Sequence, residues 1–429
     1  MRATTIRFLD YWLGIPACAF LSMLRAIRRG VGGGRSRRDA RPQRILFLKF
    51  IEQGATVLAQ DAIRRATHAV GREHLFFCVF ESNRAILDVL DTLPSANVIA
   101  IRDQRLAWFA IDFLRALWTV RSKHVDTVID MEFFSRASAI FTFLTAAPIR
   151  VGLHRFTGEL PYRGDLMTHR VQYLPHLHIS LQYSVLVEAA FHDPREVPML
   201  KVPLPSLVAK ATGDQPISGA APLPQFTPSA LELQRMRERI GAGDAHPIVV
   251  LNPNASDLLP LRKWQTDKFK LLAQRILASY PSSVIVLTGA ASEREAANAL
   301  CRQVGSTRVR SMAGDTTLPE LLTLYTLADV LVTNDSGPGH FSSLTPVQAI
   351  VLFGPETPRL FGPLTPASTV LWKELACSPC VSVFNHRLSP CTNNICMQSI
   401  TVDEVFEAVR SAVARSDLSL KSPSARTAT

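Results

Sequence analysis

A chain of 429 residues that is 47% hydrophobic and holds 28 prolines is long enough for two compact domains and too apolar for wholesale disorder. Its formal charge of +11 suggests nucleic acid until it is located: residues 1–44 hold ten arginines, no lysine and two aspartates, leaving only +3 for the remainder. A near-neutral body behind a basic leader argues against a nucleic-acid groove and for an anionic surface met by the N-terminus.

Residues 1–43 read as that leader. Tyr11 to Leu24 (YWLGIPACAFLSML) is an apolar run that contains Pro16 and falls short of the ~20 residues a spanning helix needs, so it is expected to lie in a membrane interface, a spanning segment and a helix docked on the folded body being the alternatives. The arginines and glycines that follow supply contacts for acidic headgroups and a loose tether. Ala17-Cys18-Ala19 imitates a secretory cleavage site but sits inside the apolar run. The body is therefore expected to be cytoplasmic, held at the inner face of the membrane.

From residue 44 short β-branched or apolar runs alternate with helical patterns. Strands are expected at 44–50, 75–80, 97–101, 126–130 and 148–152, within a first domain spanning 44–200. A stretch rich in proline and glycine makes 201–245 a linker region. The alternation resumes at 247–253, 283–289, 329–335 and 349–355 in a second domain, 246–412, and 413–429 reads as a disordered tail. Runs this apolar suit parallel strands covered on both faces, hence two doubly wound α/β units. Capping boxes are expected at Ser292–Glu295, Thr317–Glu320 and Thr401–Glu404.

Ligands of such sheets gather beyond the carboxyl ends of the strands. At the end of the 329–335 run stands NDSGPGH. Pro338 suits the first turn of a helix that Ser336 could cap, and the N–H groups of Gly337, Gly339 and His340 could converge on an anion such as a diphosphate; Asp335 and Ser336 acting only as local caps is the plainer alternative. In the first domain, LKFIEQGATVLAQDAIRRA predicts a strand turning through Gly54 and Ala55 into a helix that begins near Thr56. Four cysteines, Cys377, Cys380, Cys391 and Cys396, form C-x2-C-x10-C-x4-C across 377–396, open to structural zinc, to loop-packing thiols or to disulfides.

NDSGPGH, with TPVQAIVLFGP and PRLFGP after it, closely resembles the signature of glycosyltransferase family nine, the ADP-heptose:lipopolysaccharide heptosyltransferases. VLNPNAS, LRKW, VLTGAASERE, RILFLKF and DTVIDMEFFSRAS agree with that family in order and spacing. The resemblance implies a GT-B fold of two Rossmann-like domains facing across a cleft. It also implies a nucleoside-diphosphate sugar bound by the second domain, a lipid-linked saccharide acceptor bound by the first, inversion at the anomeric carbon and no required cofactor. Arg262 or Lys263 would then meet the diphosphate, and Glu293 or Glu295 the nucleoside unless they cap a helix. Family members usually carry Gly-Asp in the first loop, the aspartate being the expected base. This chain carries Gly54-Ala55. Glu52 is the first replacement candidate, Glu132 and Asp130 are its rivals, and loss of catalysis, leaving a sugar-nucleotide-binding protein, is the alternative. An epimerase or hydrolase of nucleotide sugars is a further one. Arg150, His154, Arg155, His169 and Arg170 are candidate contacts for an anionic acceptor.

Overall fold

The structure is a computed structural model that describes residues 8, 10–31, 41–156, 161–204, 223–255 and 259–421. The chain divides into unit 1, Met1–Pro222 with Val383–Arg387, and unit 2, Leu223–Ser382 with Leu388–Thr429.

Unit 1 runs α1 (Gly14–Val31), β1 (Ile45–Leu48), α2 (Gln53–Leu58), α3 (Gln60–Val70), β2 (Leu75–Phe80), α4 (Ala85–Leu90), β3 (Val98–Ile101), α5 (Leu106–Ser122), β4 (Thr127–Asp130), α6 (Arg136–Leu144), β5 (Ile149–His154), β6 (His169–Gln172) and α7 (Ile179–Ala189). Its strands are all parallel, in the order β3-β2-β1-β4-β5-β6, with Ile45 of β1 paired to both Leu75 and Thr127. Every residue of β1 is buried. Leu46 and Leu48 meet Ala116, Leu117 and Val120 of α5 and Phe141 of α6. Burying each leucine, valine or phenylalanine of this set contributes roughly 1.5–3 kcal/mol.

Unit 2 runs α8 (Ala230–Arg239), β7 (Ile248–Asn252), α9 (Thr266–Ser279), β8 (Val284–Leu287), α10 (Arg294–Val304), β9 (Val309–Ser311), α11 (Leu318–Leu327), β10 (Val330–Asn334), α12 (Gly337–Phe341), β11 (Gln348–Phe353), α13 (Pro358–Phe361), β12 (Ser368–Trp372), α14 (Ile395–Gln398) and α15 (Val402–Lys421). Its strand order, β12-β11-β10-β7-β8-β9, is the same arrangement met a second time. Both are the dinucleotide-fold order, in which the chain reverses direction across the sheet between its first and fourth strands. That places one switch point between β1 and β4 and another between β7 and β10.

All nine expected strands form. The three that the sequence did not signal, β6, β9 and β12, lie at sheet edges and are only partly buried, so they lack the continuous apolar run that marks an interior strand. Boundaries differ more. The expected linker 201–245 surrenders α8 to unit 2, where it packs on α11 and opens with a Ser229–Glu232 capping box. The expected tail from 413 begins inside α15, which continues to Lys421; residues 422–429 lie outside the described residues. Boxes form at Thr317–Glu320 and Thr401–Glu404. None forms at Ser292–Glu295, because α10 starts at Arg294, after Glu293 has taken the N–H of Ala290 (2.7 Å).

The leader is a docked helix from Asp10 onward. Asp10 accepts the N–H groups of Arg136 and Ala137 (3.0 and 3.1 Å) at the start of α6 and pairs with the Arg136 guanidinium (2.8 Å). Gly164, at φ +74°, lets the chain pass close to α1; a Cβ there would stand 2.9 Å from the Cys18 carbonyl oxygen. The tether at 32–40 lies outside the described residues.

Candidate functional site

The two switch points hold most of the expected residues. In unit 1, β1 ends at Leu48 and the next side chain, Lys49, is only 1% exposed. A buried ammonium requires counter-charges. Glu132 supplies one at 3.0 Å and Glu52 a second at 3.4 Å. Burial alone would push the Lys49 ammonium down, but the carboxylates, Glu132 foremost, outweigh it and hold the group above its ordinary value. Glu132 does a second task, since its other oxygen accepts the N–H groups of Phe50 and Ile51 (2.6 and 3.2 Å).

The three candidate carboxylates are thereby separated. Asp130 is fully buried and spends its oxygens on Arg163, the Ser138 hydroxyl (2.8 Å) and the Glu132 N–H (3.0 Å). Glu132 is buried and fixes the loop after β1. Glu52 keeps 27% of its side chain exposed while pairing with Lys49 through one oxygen and Arg387 through the other. The Arg387 guanidinium also lies over the Phe133 ring, 5.2 Å from its centroid.

The loop itself departs from expectation. The helix starts at Gln53, not near Thr56, so Gly54 and Ala55 sit inside α2. The left-handed residue is Glu52, at φ +71°. A non-glycine residue held there costs on the order of 1 kcal/mol, and such strain gathers at functional sites. Ala55 is buried and its N–H donates to the Glu52 carbonyl (2.9 Å); Thr56 is buried beside it.

Among the acceptor candidates, Arg150 donates to the carbonyls of Leu166 (2.9 Å) and Ala147, a structural use. Burial pushes His154 and His169 down to about 4, which leaves both uncharged near neutral pH. Arg155 lies over Tyr162, and Arg170 pairs with Asp165 at 3.7 Å.

In unit 2 the loops after β7 and β10 are stitched together by Asn334, which accepts the Trp264 N–H (3.0 Å) and donates to the Asn254 carbonyl (3.0 Å). Trp264 is buried and its indole N–H donates to the Ile400 carbonyl (2.9 Å), fixing the LRKW segment. The two cations of that segment part company. Arg262 is pinned between Asp335 (3.2 Å) and Glu356 (2.5 Å), both buried. Lys263 makes no ion pair among the described residues; its backbone N–H donates to the Pro260 carbonyl (3.0 Å) and its carbonyl accepts from Asn394 (3.0 Å).

Beyond β10 the expected anion turn is partly spent. Ser336 does not cap α12 with its side chain, because its hydroxyl donates to the Asn334 carbonyl (3.1 Å). The Gly339 N–H donates to the Ser336 carbonyl (3.1 Å) and is not available to a ligand. Gly337 and His340 belong to the same one-turn helix. Glu293 is held as a cap, close beside Gly289, where a Cβ would stand 2.8 Å from its carboxylate.

The four clustered thiols are free, and among the described residues no three His, Cys, Asp or Glu side chains are gathered as metal ligands. Cys396 faces the core of unit 2, Cys380 accepts from the Ser389 hydroxyl (3.3 Å), and Cys391 donates to the Asn393 carbonyl (3.3 Å).

Sequence reasoning missed Lys49, Arg163, Glu356 and Arg387. Lys49 had a signal: a lysine closing an otherwise apolar interior strand must find buried carboxylates. Arg387 had none, for it joins unit 1 from a segment far along the chain.

A family model described as glycosyltransferase family 9 (heptosyltransferase) matches residues 114–387. Lipooligosaccharide heptosyltransferase 2 of Campylobacter jejuni is 25% identical over 174 residues, 40% of this chain and 52% of that protein. Lipopolysaccharide heptosyltransferase 2 of Salmonella typhimurium is 26% identical over 151 residues, 34% of this chain and 42% of that one. The matched stretch thus spans about half the length of these relatives or less. Among solved structures, E. coli ADP-heptose lipopolysaccharide heptosyltransferase II superposes with a TM-score of 0.64 at 18% identity, covering 87% of this chain and 99% of that one. E. coli heptosyltransferase WaaC with ADP gives 0.56 at 18% identity, covering 86% and 99%. The fold is therefore of the GT-B type.

Proposed function

The chain belongs to glycosyltransferase family 9, and from that premise we propose that it is an inverting glycosyltransferase moving a sugar, heptose by analogy with its relatives, from a nucleoside diphosphate to a lipopolysaccharide-core or related lipid-linked acceptor. In this reading unit 2 takes the donor, beside the loops that Asn334 joins at its switch point, and a relative of the same fold is solved with ADP. Lys263 meets the diphosphate as a mobile cation, and Arg262 orders the surrounding carboxylates, Asp335 and Glu356.

Unit 1 supplies the base. The acceptor oxygen attacks the anomeric carbon from the face opposite the diphosphate, its proton passes to Glu52, and the bond to the phosphate oxygen breaks with the electron pair leaving on the diphosphate. Positive side chains, rather than a catalytic metal, balance that charge in the scheme. The observation that carries the reading is Glu52 itself: a partly exposed carboxylate in a left-handed conformation at the switch point, three residues before Ala55, where relatives are expected to carry an aspartate. The enzyme is proposed to work in the cytoplasm, against the inner face of the membrane, through its arginine-rich leader.

One feature favours a second reading. Both Glu52 oxygens hold cations, which suits a donor-binding protein without turnover. Product analysis separates the two. With ADP-heptose and a lipid-linked acceptor, sugar should appear on the acceptor as ADP is released in equal amount, and little free sugar should form without acceptor. Donor binding with no turnover would support the second reading, and free sugar matching ADP in the absence of acceptor would mark a hydrolase. Lys263→Ala should weaken ADP binding about ten-fold by calorimetry without lowering the melting temperature, since no ion pair is lost.

A further inference from the structure

Two helices of unit 1 present apolar residues outward. Helix α1 turns Gly14, Cys18 and Arg25 inward, where Arg25 donates to the Asp165 carbonyl and Ser22 accepts the Asp165 N–H (2.8 Å). Its outward side carries Pro16, Ala19, Phe20, Met23, Ala26 and Ile27, all exposed, at helical spacing and without a charge. A helix docked on a soluble body ordinarily shows the opposite polarity. Helix α5 buries Ala116, Leu117 and Val120, yet Ala107, Ile111, Leu114 and Trp118, spaced four, three and four apart, form a second exposed stripe. Leu114 is 67% and Trp118 70% exposed, and Trp108 nearby is partly covered by the Arg102 guanidinium, 4.0 Å from its ring centroid.

Both stripes lie on helices that pack against α6. The crossings from β3 to β4 and from β4 to β5 run in the same direction across the sheet, so their helices, α5 and α6, cover the same face. Helix α6 shares Phe141 with the α5 core and Ala139 with the Cys18 cluster of α1, and so stands between them. Charge names the occupant. Arg105, Arg115, Arg121 and Lys123 are exposed around the α5 stripe, and the sequence of residues 1–44, the inward Arg25 apart, carries nine arginines against two aspartates. Among the described residues no helix is long and apolar enough to cross a membrane.

We infer that the outer face of α1 and α5 is a docking surface for an anionic phospholipid bilayer, with both helices lying along it and Trp118 of α5 at headgroup level. This rests on the membrane association proposed above and extends it from the leader to a helix between β3 and β4. The test is co-sedimentation of the full chain with phosphatidylglycerol or phosphatidylcholine vesicles, comparing wild type with Leu114→Asp/Trp118→Asp and Phe20→Asp/Met23→Asp. Wild type should prefer the anionic vesicles, and each double variant should bind them at least about ten-fold more weakly with its calorimetric response to ADP unchanged. If only the α1 variant loses binding, the leader reading stands and the α5 surface is overturned. If wild type ignores vesicles and light scattering shows a dimer that the α5 variant dissociates, a second copy covers the face and the inference fails. No vesicle binding by a wild type that binds ADP also overturns it, leaving the proposed activity intact.

Discussion

Glu52→Gln is expected to lower kcat for sugar transfer by about 10²- to 10⁴-fold, the usual contribution of a general base, while leaving ADP affinity within about two-fold. The amide keeps the size of the side chain but only one acceptor oxygen, so it can hold one of the two cations that Glu52 holds through separate oxygens, and an unchanged melting temperature should accompany the loss of kcat. What it cannot do is take a proton from an acceptor hydroxyl. Asp130 and Glu132 cannot substitute, because each is buried with its oxygens committed to neighbours that fix β4 and the β1 loop. A kcat within three-fold of wild type would remove Glu52 from the chemistry. Arg387→Ala is informative beside it: releasing one of the two cations on Glu52 should alter the pH profile of transfer, whereas a merely structural pair would not.

Glu132→Gln should destabilise the protein by about 3–5 kcal/mol, read as a lower urea midpoint or melting temperature. The substitution leaves Lys49 buried, with its nearer counter-charge gone and only Glu52, at 3.4 Å, in reach. Tyr183 offers little relief: its hydroxyl is buried without a hydrogen-bond partner among the described residues, and burial pushes its phenol upward, so it stays neutral. The double variant Glu132→Gln/Lys49→Met should recover much of the loss, since removing both charges removes the desolvation problem. If Glu132→Gln unfolds no more readily than wild type, Lys49 is not held as described.

The fold was legible because interior parallel strands need apolar side chains on both faces, as in RILFLKF and PIVVLNP. Edge strands β6, β9 and β12 escaped that signal for the converse reason. Positions near the two switch points were legible too, since they follow directly from where strands end. Their individual duties were not. Glycine at 54 read as the turn, but the positive φ belongs to Glu52, two residues earlier, where a carboxylate anchored by two cations imposes a conformation that propensity alone would assign elsewhere. Arg262 and Lys263 were equivalent in the sequence; only the buried carboxylates Asp335 and Glu356 distinguish them. The cysteine spacing left metal, packing and disulfide open, because spacing alone does not fix side-chain direction; in the structure Cys396 packs against the core of unit 2.

Donor recognition by unit 2 is the claim on which the proposed chemistry depends, and calorimetric titration of the full chain with ADP, ADP-heptose and UDP tests it most directly. The account predicts saturable binding of one ADP-type ligand per chain, weakened about ten-fold by Lys263→Ala. Correctly folded protein that gives no heat of association with any of the three would contradict it.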